Sequence, residues 1–222
     1  MSDILALVRL LQLASPSLPV GAYSYSQGLE AVIESGEVSD AASATRWIGD
    51  ALALSVAGME APIFLRLMAA WIARDPSAAS RWNDEFIASR EASELRAETL
   101  QMGYSLRRLI VEMEPTADLD HIEEISFPAA FAYAATRAGI ATDEALAAYL
   151  FAWVENQALA ALKAIPLGQT DGQRLLRELA QAIPGIVERA AMASDDELSN
   201  FASGLALAAS RHETQYSRIF RS

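Results

Sequence analysis

His121 and His212 are the only imidazoles in this sequence, and it holds no cysteine. With no thiolate and two histidines far apart, a transition-metal site within one chain would have to rest mostly on carboxylates, a hard and weak donor set. Surface or hydrogen-bonded histidines, or a pair meeting across a dimer, are the readings the residues leave open. The absence of cysteine also excludes disulfides and thiolate catalysis. No phosphate-binding G-x-x-x-x-G-K-[ST] run is present, and "GQTDGQ" at 168–173 lacks the lysine that would neutralise a nucleotide. The serines beside Tyr23 and Tyr25 in "YSYS" have no histidine nearby in sequence and do not follow the strand-turn-helix pattern of a nucleophile elbow. What remains for chemistry is acid-base or water-positioning work by Tyr25, Glu30 or Gln169 in a small helical enzyme.

Two segments resist a purely structural reading. In "SPSLPVGAYSYSQGLE" at 15–30, Pro16 and Pro19 hold an irregular entry and Gly21 permits backbone angles closed to other residues. Tyr23 and Tyr25 are two apart and cannot share one helical face, so they either cover separate edges of the core or turn outward. The other segment is the end, "RHETQYSRIFRS", which sets Arg211, Arg218 and Arg221 against Glu213 and interleaves Tyr216, Ile219 and Phe220. It is a basic stretch on a chain of net charge -12. Arginine and aromatic residues dominate protein interfaces, so this composition points to a partner-binding tail over 211–222.

The elements that would carry these residues are helical. Alanine makes up about a fifth of the chain, and it is the strongest helix former and a poor strand former. A length of 222 residues suits one compact domain. Ser2 can cap a helix over about 3–14, which Pro16 and Pro19 end. Further helices are expected from about Ala22 to Gly36, from Ser39 to about Gly58, and from Glu60 to Ala73 with Pro62 in its first turn. Residues 77–113 hold one long helix or two shorter ones; Gly103 weakens that stretch unless a neighbour needs its bare surface. "EPTADLDHIEEISFP" reads as a long exposed connection. Beyond it come helices from Pro128 to about Gly139, over about 143–164, 171–182 and 185–192, and a last one from the capping box "SDDE" at 194–197 to about Ser210. The Ala-rich helix 143–164 is either core or dimer-facing. The fold class is therefore all-α, a single-domain bundle of about ten helices over 1–210, followed by the tail.

The acidic balance argues against nucleic acid, which needs clustered Lys and Arg. Asp3 and Arg9 in the first apolar run read as a helix rather than a secretory leader. Glu60, Pro62 and Arg66 interrupt the most apolar later stretch, so no membrane span is expected.

"LLQLASPSLPVGAYSYSQGLE" at 10–30, "MGYSLRRL" at 102–109, "PLGQTDGQRLL" at 166–176 and "SRHETQYSRIFRS" at 210–222 closely resemble the signature segments of the urease accessory protein UreF family. The resemblance spans nearly the whole chain in the same order; residues 37–95 add little to it. It implies an all-α, dimer-forming, cytoplasmic scaffold that is not an enzyme and holds no intrinsic cofactor or metal. Its partners by resemblance are the accessory protein UreD (UreH in some bacteria), the nickel-carrying GTPase UreG, and apo-urease through the complex. Nickel and GTP are handled by those partners, and GTP hydrolysis is modulated. The recognition face implied on this sequence combines Pro19, Gly21, Tyr23, Tyr25, Gln27 and Glu30 with Gly168 and Gln169. The tail, through Arg211, His212, Tyr216, Arg218 and Phe220, is the binding element for the UreD-type partner by the same resemblance.

Overall fold

The computed structural model describes residues 4–222, so the Ser2 cap lies outside the described residues. Among these the protein is all-helical, with eleven α-helical segments, two 3-10 turns and one π-helical stretch. Helix α1 covers Ile4–Leu13, close to the span the prolines predict.

The next expected helix is not there as drawn. Gly21 (φ 79°) leads into a single 3-10 turn at Ala22–Ser24, and α2 is confined to Leu29–Glu34. The reason is a pair of left-handed residues, Gln27 (φ 54°) and Gly28 (φ 81°), which no right-handed helix can run through. Gly28 also has no room for a side chain: a Cβ there would lie 2.9 Å from the backbone nitrogen of Ala209.

Helix α3 spans Ala41–Ala51. Its cap is Asp40 rather than Ser39, and the Asp40 carboxylate accepts from the Ser43 N–H at 2.8 Å in a capping box. The expected break near Gly58 and Glu60 does not occur. A π-helical stretch, Leu52–Glu60, joins α3 directly to α4, Ala61–Ala73, in one continuous helix. Pro62 cannot donate back into that helix, and the carbonyl of Gly58 one turn earlier takes the Ser199 N–H at 3.1 Å instead. The helix is long and apolar enough to cross a membrane, as is Thr142–Ala164. In their most apolar windows 67% and 50% of residues are packed inside the protein, as core helices are.

Residues 77–113 resolve into two helices, α5 (Pro76–Ala88), capped by Asp75, and α6 (Ser93–Met113). Gly103 faces a backbone: a Cβ would sit 2.0 Å from the carbonyl oxygen of Ile125, so the connection after α6 lies directly on this helix. Ser126 then caps α7 (Phe127–Arg137). Helix α8 (Thr142–Ala164) is core, with Leu146, Tyr149, Leu150 and Val154 buried. Phe64 of α4, Phe131 of α7 and Tyr149 of α8 stack around one centre, with ring centroids 4.9–6.0 Å apart.

Helices α9 (Gln169–Ala180) and α10 (Ile183–Met192) follow. The capping box at Ser194 and Glu197 forms but opens only the 3-10 turn Asp195–Glu197. Ser199 and Asn200 are held by the π-helical stretch and the end of α5: Asn200 accepts from Ser55 Oγ at 2.6 Å and donates to the Ser89 carbonyl at 2.7 Å. Those ties carry the chain out of helical geometry, and α11 starts only at Ser203, ending at His212. Arg211 and His212 are thus the last turn of α11, and residues 213–222 turn back toward α2.

Candidate interaction site

The two segments that stood apart in the sequence lie against each other. Ser26 and Gln27 donate their backbone N–H groups to the Ser222 carbonyl at 2.7 and 3.1 Å, and the Arg221 N–H reaches the Ser24 carbonyl at 2.8 Å. The exposed backbone left by the broken helix at 24–28 is satisfied by the end of the chain.

Glu30, on the first turn of α2 and 5% exposed, is the acceptor around which the tail folds. One carboxylate oxygen takes the Ile219 N–H at 2.7 Å; the other takes the Phe220 N–H at 2.9 Å and faces His212 Nε2 at 3.1 Å. His212 is fully buried, and its Nδ1 faces Glu94 at 2.6 Å. The second Glu94 oxygen accepts from Arg218 at 2.6 Å. The two ring nitrogens of His212 point in opposite directions, so Glu30, His212 and Glu94 do not converge on one point. No group of three or more such ligands able to hold a metal occurs among the described residues. Glu213 reaches back to the start of α6, where its carboxylate accepts from the Ser93 N–H and hydroxyl, both at 2.8 Å, and those bonds hold its pKa below the usual carboxylate value. Phe220 is buried under the ammonium of Lys163, 4.6 Å from the ring centroid.

Beneath the tail runs a directed chain of side chains. Trp153 Nε1–H donates to Gln27 Oε1 at 2.9 Å, and Gln27 Nε2 donates to Glu98 Oε1 at 2.7 Å. The Ser222 hydroxyl bonds Glu98 Oε2 at 2.8 Å. Burial pushes the Glu98 carboxyl up to about 7; the charge of Glu60 adds to this, while the bonds from Gln27 and Ser222 and the charge of Arg90 oppose it. Glu98 borders a cavity of about 90 Å³ that Glu60, Arg90 and Tyr149 also line. There the Tyr149 hydroxyl donates to Glu60, and Arg90 pairs with Glu60 at 3.2 Å while its guanidinium lies 4.3 Å from the Phe86 ring centroid. Burial first, then the charge of Glu98, pushes the Tyr25 phenol up, and Arg221 opposes.

The residues singled out in the sequence separate into two kinds. Tyr25, Glu30, His212 and Phe220 are buried, and Gln27 is half-buried between Trp153 and Glu98. Pro19, Tyr23, Arg211, Tyr216 and Arg218 face outward, Tyr216 wholly so. Gly21 shapes the turn through its positive φ. Gly168 and Gln169 are exposed at the start of α9, and the hydrogen bonds joining the two segments do not involve them. Gln169 therefore shares no hydrogen-bonded network with Tyr25 and Glu30, whose own polar groups are committed within the fold. Sequence reasoning missed Glu94, Glu98 and Trp153. The signal was there: Glu94 and Glu98 are one helical turn apart on α6 and present two acids to a basic tail.

A family model described as UreF matches residues 38–180. The chain is 54% identical over 226 aligned positions to a urease accessory protein UreF of Azoarcus sp. (strain BH72), covering 99% of this chain and 97% of that protein. It is 51% identical to one from Methylobacillus flagellatus and 50% identical to one from Dechloromonas aromatica, each over the whole length of both chains. The family match takes in residues 38–95, which add little to the resemblance, together with the segments at 102–109 and 166–176, and the full-length relatives also cover the 15–30 segment and the tail. With a helical fold, a seated tail and this degree of identity from end to end, the chain belongs to the UreF family of urease accessory proteins.

Proposed function

We propose that the protein is a non-enzymatic scaffold of urease maturation that binds a UreD/UreH-type accessory protein and a nickel-carrying GTPase of the UreG type. It thereby supports nickel insertion into apo-urease and modulates GTP hydrolysis by its partner, working in the cytoplasm as a homodimer. Nickel and GTP stay with the partners. The observation that carries this reading is the composite surface made when residues 213–222 seat on residues 24–30, which leaves Tyr23, Tyr216, Arg218 and Ile219 outward over a buried polar base. Exposed aromatic and arginine side chains over a rigid, hydrogen-bonded base are what a protein interface needs.

In this reading the buried residues shape the surface and the exposed ones touch the partner. Tyr23, Arg211, Tyr216 and Arg218 make contacts; Gly21, Tyr25, Gln27, Glu30, His212 and Phe220 hold the base. Pro19, Gly168 and Gln169 belong to the face for the GTPase. The exposed apolar stripe of α1, with Ile4, Val8 and Leu11 on successive turns, is the candidate for self-association. The test is co-purification of the full chain and a variant with residues 213–222 replaced, each expressed with the UreD/UreH-type protein. Loss of that partner with the helical circular dichroism signal intact supports the assignment; unchanged assembly refutes it. GTP hydrolysis by the UreG-type protein, measured with the assembled complex and with a Tyr23→Ala variant, tests the second partnership.

A further inference from the structure

Arg90, between α5 and α6, lines the cavity that Tyr23 and Gln27 also border, and its side chain is only 9% exposed. Most of its guanidinium is accounted for. One terminal nitrogen pairs with Glu60 at 3.2 Å, the other reaches the Ser89 hydroxyl at 3.4 Å, and the central carbon sits over the Phe86 ring. The Nε–H is different: it is buried and has no acceptor among the described residues. An orphaned buried donor is costly, and nearly all buried polar groups are satisfied by protein or by ordered water.

The other polar groups on the cavity wall state what kind of molecule would serve. A carboxylate offers about four lone-pair sites. Glu60 spends two of them on Tyr149 and Arg90, and Glu98 spends two on Gln27 and Ser222, so both keep acceptor capacity. The Thr99 hydroxyl accepts from the Phe127 N–H and has its own proton to give. An occupant must therefore accept from a guanidinium N–H and donate to carboxylates. An anion accepts without donating and would meet two acids. A metal cation would meet a guanidinium, and no group of three or more ligands is available to it among the described residues. An apolar guest would leave the Nε–H orphaned. Water is the smallest molecule that does both, and at roughly 30 Å³ per molecule a cavity of about 90 Å³ has room for about three.

We propose that this cavity is an internal water site, in which ordered water accepts from Arg90 Nε–H and donates to Glu60 and Glu98. The water joins two groups that no direct bond connects: the Arg90, Glu60 and Tyr149 cluster of the helical body, and the Glu98 carboxylate that holds Gln27 and Ser222. Its way in lies at the rim beside Ser15, Pro16 and Tyr23, which are half-buried or exposed. The site belongs to the protein alone, whatever the surface above it binds.

The test uses the full chain labelled with 15N-arginine. The Arg90 Nε–H resonance is identified by its contacts with the Phe86 ring, and its cross-peak to the water frequency is recorded in NOESY and ROESY spectra. Peaks of opposite sign, the mark of a long-resident water, are expected; no peak, or peaks of the same sign in both as chemical exchange gives, overturns the site. Ala152→Leu tests the location, since Ala152 lines the cavity and a larger side chain there displaces its contents. Loss of the Arg90 cross-peak, with a melting temperature at or below that of the wild type, is expected because the donor is left orphaned. A retained cross-peak puts the water elsewhere, and a raised melting temperature is what filling a dry void gives; either refutes the proposal. Should that variant not fold, xenon decides on the wild type, because a dry apolar cavity takes up xenon and a hydrated polar one does not. Unshifted Ala152 and Met102 methyl resonances under xenon are expected, and a saturable shift overturns the water site.

Discussion

Glu30→Ala removes the acceptor on which the tail is hung. The carboxylate takes the Ile219 and Phe220 N–H groups and faces His212, and both Phe220 and His212 are buried. Hydrogen bonds to a charged group contribute roughly 1.5–3 kcal/mol each, and a buried donor left unpaired costs about 1–3 kcal/mol. The Ile219 amide lies at an exposed residue and regains water, so its loss is small. Counting the buried Phe220 donor alone, the seated tail is weakened by about 1.5–3 kcal/mol, or roughly ten- to a hundredfold in its seating constant. The rest of the fold keeps its core, because the Glu30 side chain bonds only the tail amides and His212 at the end of α11. Limited trypsin digestion reads this directly, since Arg218 and Arg221 lie within the seated segment. In the regime where cleavage tracks the population of the open form, cutting after Arg218 should be roughly ten- to a hundredfold faster in the variant, while the thermal midpoint of the body changes little. Cleavage at the wild-type rate would show that the tail is held by something other than these bonds, and the account of the site would fail with it.

Gly103→Ala drives a Cβ into the Ile125 carbonyl, 2.0 Å away, and overpacking of this kind costs about 1–3 kcal/mol or more; a melting temperature lowered by about 3–10 °C is expected, and an unchanged one refutes the close approach. Glu213, whose pKa is lowered by its bonds to Ser93, contributes stability that is present above the ordinary carboxylate range and lost as pH falls through its depressed value; Glu213→Gln should therefore lower the melting temperature slightly at pH 8 and leave it little changed at the acid end, flattening the acid side of a thermal-melt pH profile. Tyr216→Ala, at a wholly exposed position, should leave the melting temperature unchanged and weaken capture of the UreD/UreH-type protein by about tenfold, as loss of an interface aromatic does; equal capture would take Tyr216 out of the contact.

Most helices were legible because alanine content, caps and prolines act locally. Pro128 and Gly139 punctuate the chain where the sequence implies. The misreadings share one cause: a remote partner replaced a local hydrogen bond. Gly58 looked like a helix end, yet its carbonyl is satisfied by Ser199, far along the chain, and the helix continues. The same tie explains why "SDDE" starts a turn and not a helix. At 22–28 the sequence offers a helix former in Ala22, from which a helix is expected, while the decisive feature, the left-handed Gln27 held between Trp153 and Glu98, is a tertiary arrangement. For the site, residue types marked both segments as unusual. That they meet, and that Glu30 and His212 are inward while Tyr23 and Tyr216 are outward, depends on where α2, α6 and α11 come together.

The forces holding the tail differ in kind from those holding the body. The body is closed by apolar contact among α4, α7 and α8, with Phe64, Phe131 and Leu146 wholly buried. Residues 213–222 bury a single large apolar side chain, Phe220, which is worth about 1.5–3 kcal/mol and is of the same order as the backbone entropy of fixing one or two residues. Ile219 and Tyr216 stay in water. Seating therefore depends on charged and polar groups: Arg218 on Glu94, the Ile219 and Phe220 amides on Glu30, and Ser222 on Glu98. Coulombic terms of that kind respond to salt, protons and competing surfaces, whereas the apolar core does not. An acidic protein whose basic end is bound by its own carboxylates can exchange those bonds with a partner without disturbing its fold, because the groups that would be exchanged are not the groups that hold the helices together.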